Sequence, residues 1–129
     1  MEYYFSTNLK TGFQEAIAKT TKALKTEGFG VITEIDMQSK LKEKLGVDFK
    51  KYKILGACNP VFAYKALQAE EKIGTMLPCN IIIIDKENGT TEVAAINPIA
   101  SMMAIQNPLL EPLAREVTNK LKRMIDNLE

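Results

Sequence analysis

The residues best suited to chemistry are two cysteines in nearly the same company, Cys58-Asn59-Pro60 and Pro78-Cys79-Asn80. Asn-Pro reads as a cap followed by a first helical residue, because proline needs no amide partner there. Cys58 then sits where a strand hands over to a helix. Backbone amides at a helix start carry partial positive charge that can lower a nearby thiol pKa or hold an anion. Cys79 sits at the opposite kind of junction, entering a strand. Cys58, Asn59, Cys79 and Asn80 are therefore the candidate binding residues, converging if their two strands are neighbours. The cysteines lie 21 residues apart, which fits neither a CxxC redox motif nor a paired zinc knuckle. The plainer alternative is two small packed thiols, since free cysteine is among the most buried residue types.

Other groups are weaker. Met102-Met103 adds thioether sulfur, and two thiolates with a thioether could hold a soft ion such as Cu(I), although methionine at such a place ordinarily fills core gaps. Between Lys40 and Lys53, six lysines stand against Glu43 and Asp48, a local charge of +4, with Phe49 and Tyr52 interleaved. The segment has no arginine, the residue preferred for bidentate phosphate and base contacts, so it reads as a solvated face. Glu34 and Asp36 share one side of a strand, a spacing common among surface carboxylates. Gly28-Phe29-Gly30 is too short for a phosphate loop and reads as a helix end.

Composition removes whole classes of chemistry. The chain has no histidine, which excludes Ser-His-Asp and Cys-His nucleophilic systems, His-ligated zinc and imidazole acid-base steps. Its 129 residues allow one domain, expected to span 1–129. With 17 basic and 16 acidic side chains the net charge is +1, so no field points to nucleic acid or an anionic membrane, and neither partner is expected. The longest purely apolar run, Ile81 to Ile84, falls far short of the ~20 residues of a membrane span. The N-terminus lacks the basic start and apolar core of a signal peptide, so the mature chain is expected to begin at Met1. Two cysteines are too few for a disulfide scaffold, and both are expected as thiols in the cytoplasm.

The elements that must position the cysteines follow from periodicity. Residues 3 to 8 have strand-like content. Thr11 and Gln14 stand three apart, as a capping box requires, and predict a helix from Thr11 to Gly28 with Phe13, Ile17, Thr20 or Thr21 and Leu24 inward. From Phe29 the period is two, which predicts a strand with Phe29, Val31, Thr33 and Ile35 on its buried side. Asp36 can cap a short helix carrying Met37, Leu41 and Leu45 and ending at Gly46. Tyr52 to Ala57 reads as a strand and Pro60 to Ala69 as a helix, continued in broken form to Pro78. Asn80 to Asp85 and Thr91 to Ile96 form a hairpin in which Asn88-Gly89 supplies positive backbone angles. Asn97-Pro98 opens a short helix and Asn107-Pro108 a long one. In the long helix Leu110, Leu113, Val117, Leu121, Met124 and Leu128 form a stripe for the sheet or a partner. The order is α+β: a two-layer sandwich, largely antiparallel, with helices on one face.

Gly28 to Asp36, Tyr52 to Pro60 and Leu77-Pro78-Cys79-Asn80 together resemble the successive signature blocks of the bacterial and archaeal family called domain of unknown function 302, in matching order and spacing. The resemblance runs from about Phe13 to Met124. It implies a TATA-box-binding-protein-like sandwich, often a dimer, and no particular reaction. Cys58 and Cys79 fall where many members carry cysteine and others do not, so it carries over neither a catalytic nor a metal role.

The leading expectation is a non-enzymatic cytoplasmic module, a homodimer, that binds a small molecule or soft metal around Cys58, Asn59, Cys79 and Asn80, because polar and thiol residues converge at element ends. The alternative is a thiol-dependent redox or sulfur-handling enzyme using Cys58 as nucleophile. A third reading is a structural or regulatory subunit that associates through the final helix. The sequence names no cofactor.

Overall fold

A computed structural model describes residues 1–128. The chain runs β1 (Tyr4–Leu9), α1 (Phe13–Thr26), β2 (Gly30–Asp36), α2 (Met37–Leu45), β3 (Tyr52–Cys58) and α3 (Pro60–Ala69). A 3-10 helix (Glu71–Met76) follows, then β4 (Cys79–Asp85), β5 (Thr91–Ile96), α4 (Pro98–Ser101) and α5 (Leu110–Asp126). The five strands form one antiparallel sheet in the order β1-β5-β4-β3-β2. This is the expected α+β arrangement.

Alternation along the strands sorts the sheet into two unlike faces. Leu55, Ala57, Ile81, Ile83, Val93 and Ala95 point one way and pack with Ala16 and Leu24 of α1 and Leu121, Met124 and Ile125 of α5 into the main core. Ile54, Ile82, Ile84 and Ala94 alternate with them on the other side, where no core cluster forms among the described residues although Ile84 and Ala94 are buried, while Ile96 at the end of β5 packs against the main core. A second cluster, around Ala66, Ile73 and Leu110, ties α3 and the 3-10 helix to the start of α5.

Several local expectations are corrected. The first helix begins at Phe13, not Thr11: Gly12 occupies the cap position, no side chain caps it, and the buried Thr11 hydroxyl has no hydrogen-bond partner. Thr11 serves through its carbonyl, which accepts from the Thr91 hydroxyl at 2.8 Å and fastens the strand ends. β2 is an edge strand with a bulge between Val31 and Thr33, which shifts the phase of its alternation. Phe29 and Val31 face the core, but Ile35 lies opposite Ile54 on the other side and is exposed. In the β4–β5 turn, Gly89 takes a positive φ of 86°, but its companion is Glu87 at 61°. Asn88 instead accepts from the Thr90 amide and hydroxyl.

Of the three Asn-Pro starts, only Asn97 caps its helix with its side chain. Asn97 accepts from the Ile99 amide at 3.2 Å, and Asn107 accepts from the Leu109 amide at 3.0 Å, with α5 itself starting two residues beyond Pro108 at Leu110. Asn59 makes no cap bond. Asp36 does cap α2, accepting from the Ser39 amide at 3.0 Å, and that bond is the chief reason its carboxyl titrates below the ordinary value. α2 ends as expected at Gly46, φ 69°, yet buries none of its apolar residues.

Candidate functional site

At the Cys58 end of β3 and the Cys79 end of β4, the sheet, α3 and α5 leave a cleft of about 320 Å³. Its construction follows from pairing and helix placement. Ala57 lies directly opposite Cys79, and Cys58 follows one residue later as β3 ends and turns into α3, so that both cysteines line the same opening. Phe62, Ala63 and Ala66 of α3 form one wall, and Leu113, Ala114 and Val117 of α5 the facing one. Small alanines at the positions where the helices approach leave the room; larger side chains there would fill it. Leu77, Pro78, Pro98 and Met102 close the side away from β2, and no charged side chain lines the cleft.

Glu27, just past α1, frames the site. Its carboxylate receives Arg123 of α5 at 3.0 Å, and its carbonyl accepts from Asn59 Nδ2 at 3.4 Å. Asn59 is thus a strut between the end of α1 and the start of α3 instead of a helix cap. Gly28 fits this contact: its φ is 85°, and a Cβ there would stand 3.0 Å from Asn59 Nδ2.

Burial decides what the thiols can do. Desolvation, aided by the nearby Cys58, pushes the Cys79 thiol from its ordinary value of 9.0 to about 11. Cys79 is therefore a neutral thiol at physiological pH, a soft apolar part of the floor and no nucleophile. Both cysteines are unbridged.

Of the four residues expected from the sequence, Cys58, Asn59 and Cys79 line the cleft and Asn80 does not. Asn80 is paired opposite Gly56, projects to the other face of the sheet and is exposed, bordering a neighbouring hollow with Thr75, Met76 and Ser101. Met102 reaches the cleft beside the two thiols, whereas Met103 points to solvent. Among the described residues no three His, Cys, Asp or Glu side chains converge on a metal position. The lysine segment is partly neutralised within itself: Lys42 meets Asp48 at 3.0 Å and Lys40 meets Glu43 at 3.8 Å, while Lys53 pairs with Glu34 at 3.6 Å.

Leu113 and Val117 belong to the stripe expected of the last helix, whereas the α3 wall was not singled out in the sequence. The signal for the α3 wall is α3 itself, which is apolar on more than one side: Phe62, Ala63, Ala66 and Leu67 line the cleft while Val61 and Tyr64 are exposed away from it. A helix apolar beyond one face has a second surface to line. Among the described residues no helix is long and apolar enough to cross a membrane.

Comparison with known proteins agrees with this architecture. The chain is similar to an uncharacterized protein of Aquifex aeolicus (strain VF5), 37% identical over 60 residues. That alignment takes in 46% of this chain and 41% of the Aquifex protein, so it spans less than half of that relative. The crystal structure of an uncharacterized conserved protein DUF302 from Bacillus stearothermophilus superposes with a TM-score of 0.91 at 30% identity, over 100% of both chains. The family described as Domain of unknown function DUF302 matches residues 5–128, and the chain belongs to that family.

Proposed function

We propose that the protein is a non-enzymatic binding module whose ligand is a small molecule held in the cleft between α3, α5 and the ends of β3 and β4. The observation that carries this reading is the cleft itself, about 320 Å³ of unfilled, almost wholly apolar space beside Cys58, Asn59 and Cys79. A domain that packs the rest of its core closely leaves such a volume where something else is to be bound. The redox alternative has less support, because the Cys79 thiol is held protonated and no histidine or carboxylate lines the cleft to activate Cys58. A soft ion would have only the two cysteines and Met102. The reading takes the cytoplasm as the working compartment, where both thiols stay reduced.

A screen of small neutral and charged fragments by protein NMR tests it. Hits should shift the resonances of Ala63, Ala66, Ala114 and Val117 together, and Ala63→Phe, which fills the cleft, should abolish them. A screen in which no fragment moves those four residues overturns the reading.

A second copy of the chain on the open face of the sheet completes the proposal. The final helix is not available for this role, since Leu110, Ala114, Leu121, Met124 and Ile125 are buried within the protomer. What supports the sheet face is half-buried Ile54 and Ile82 beside exposed Ile35, with no cluster over them among the described residues. Five strands at ~4.8 Å spacing, each about six residues of ~3.4 Å rise, offer a face of roughly 24 by 20 Å. Two such faces together hide on the order of 1,000 Å², about what a specific interface needs.

A further inference from the structure

The helical residues of the cleft fall on two faces. On α3 and its cap position they are Asn59, Phe62, Ala63, Ala66 and Leu67, the three- and four-residue spacing of one helix face followed for about two turns. On α5 they are Leu110, Leu113, Ala114 and Val117, again about two turns of one face. The two helices run in opposite senses along the cleft. Lys120, late in α5, stands over the ring of Phe62 near the start of α3, while Ala66, further along α3, clusters with Leu110 at the start of α5. At a rise of ~1.5 Å per residue these faces are about 10–12 Å long. Ile32, beside the β3 end on β2, and Leu67, late in α3, both line the cleft and are 61% and 45% exposed, so it meets solvent at each end.

We infer that the ligand is an uncharged, chain-shaped aliphatic molecule that lies lengthwise between α3 and α5, with one hydroxyl or N–H that donates to Asn59 Oδ1. The inference rests on the cleft reading above and adds the ligand's shape, charge and polar end. Length on two sides selects a chain. An engineered cavity of about 150 Å³ accepts benzene, and about 320 Å³ drawn out between two helices suits a longer and narrower molecule. No charged side chain lines this space, and the Cys79 thiol on its floor is neutral at physiological pH, so a charged ligand would lose hydration with no partner in return. Asn59 is the only side-chain amide lining it and is 9% exposed. Its Nδ2 is committed to the Glu27 carbonyl, its side chain caps no helix, and among the described residues nothing donates to Oδ1. The cleft thus offers a ligand one unused acceptor, to which a carboxylate has nothing to donate.

Titration with 1-pentanol, 1-hexanol, 1-heptanol, 1-octanol and octanoate, read from the NMR resonances of Ala63, Ala66 and Ala114, tests each part. Affinity should rise about fourfold with each added methylene. 1-Octanol should bind about tenfold more tightly than octanoate. Asn59→Ala, which gives up a single long hydrogen bond within the protein, should weaken every alcohol by about fivefold. Alcohols that gain nothing per methylene overturn the chain shape, octanoate binding as tightly as 1-octanol overturns the neutral charge, and an unchanged alcohol affinity in Asn59→Ala overturns the role of Oδ1; the cleft survives all three. If no alcohol moves these resonances although other fragments do, the inference alone is overturned. If no compound of any kind moves them, the cleft reading is overturned with it.

Discussion

At the residue scale the main finding is that Cys79 is a packing thiol. Its folded-state pKa of about 11 lies above the ordinary 9.0, so the folded form holds this proton more tightly than the unfolded chain. The resulting stabilisation is complete below about pH 9 and is lost as pH rises toward about 11, by roughly 2–3 kcal/mol. Denaturant unfolding of wild type and Cys79→Ala across that interval should show a steeper fall in the wild type than in the variant, and parallel curves would contradict it. Alkylation at neutral pH should mark Cys58 well before Cys79. Thr11 offers a second check. A capping box would make Thr11→Val costly, but its hydroxyl is buried without a partner, so the substitution should leave stability unchanged or raise it by up to about 1 kcal/mol. A lowered midpoint would restore the cap.

At the scale of elements, three Asn-Pro starts look alike in sequence and differ in structure. Asn97 caps α4, donates to the Glu2 carbonyl at 3.0 Å and accepts from the Thr118 hydroxyl, whereas Asn59 has one long bond to the Glu27 carbonyl. Asn97→Ala should therefore lose about 1–2 kcal/mol and Asn59→Ala about 0.5 kcal/mol or less, read from unfolding midpoints at constant slope. The reverse order would contradict the strut assigned to Asn59. Gly56 marks another constraint: a Cβ there would overlap the Thr33 hydroxyl and come 2.6 Å from the Pro78 ring. Gly56→Ala should lose about 1–3 kcal/mol through overpacking, measured the same way.

These elements also show what could be read in advance. Strand and helix periods, Asp36 at the head of α2 and Gly28 at the end of α1 are local matters, and each is found where expected. The phase of β2 is not local. Its bulge answers to the pairing with Gly56 and Ala57, which periodicity within β2 cannot see. Asn80 is a different case, because alternation already implied that if Cys79 faces the helices its successor faces away. Cys58 and Cys79 were recognisable from their junctions, but the walls of the cleft come from α3 and α5, some fifty residues apart. Only the packed chain brings Phe62 to Lys120.

For the whole molecule, the sheet does two jobs with its two faces. One carries the core and, at its end, the cleft; the other, with half-buried Ile54 and Ile82, is the face proposed for a second copy. If that face pairs two copies, the wild type should scatter light as a dimer and Ile82→Lys, at its centre, as a folded monomer. A wild type that is monomeric at tens of micromolar would remove the dimer without touching the cleft. The claim on which the account turns is that the space beside Cys79 is apolar, empty and accessible. Crystals pressurised with xenon measure this with no assumption about ligand charge or shape, because xenon enters apolar voids and avoids hydrated ones. The account predicts xenon between the Ala57–Cys79 floor and the Ala63 and Ala114 walls, and none there in crystals of Ala63→Phe. A wild-type crystal with no xenon at that position would contradict it.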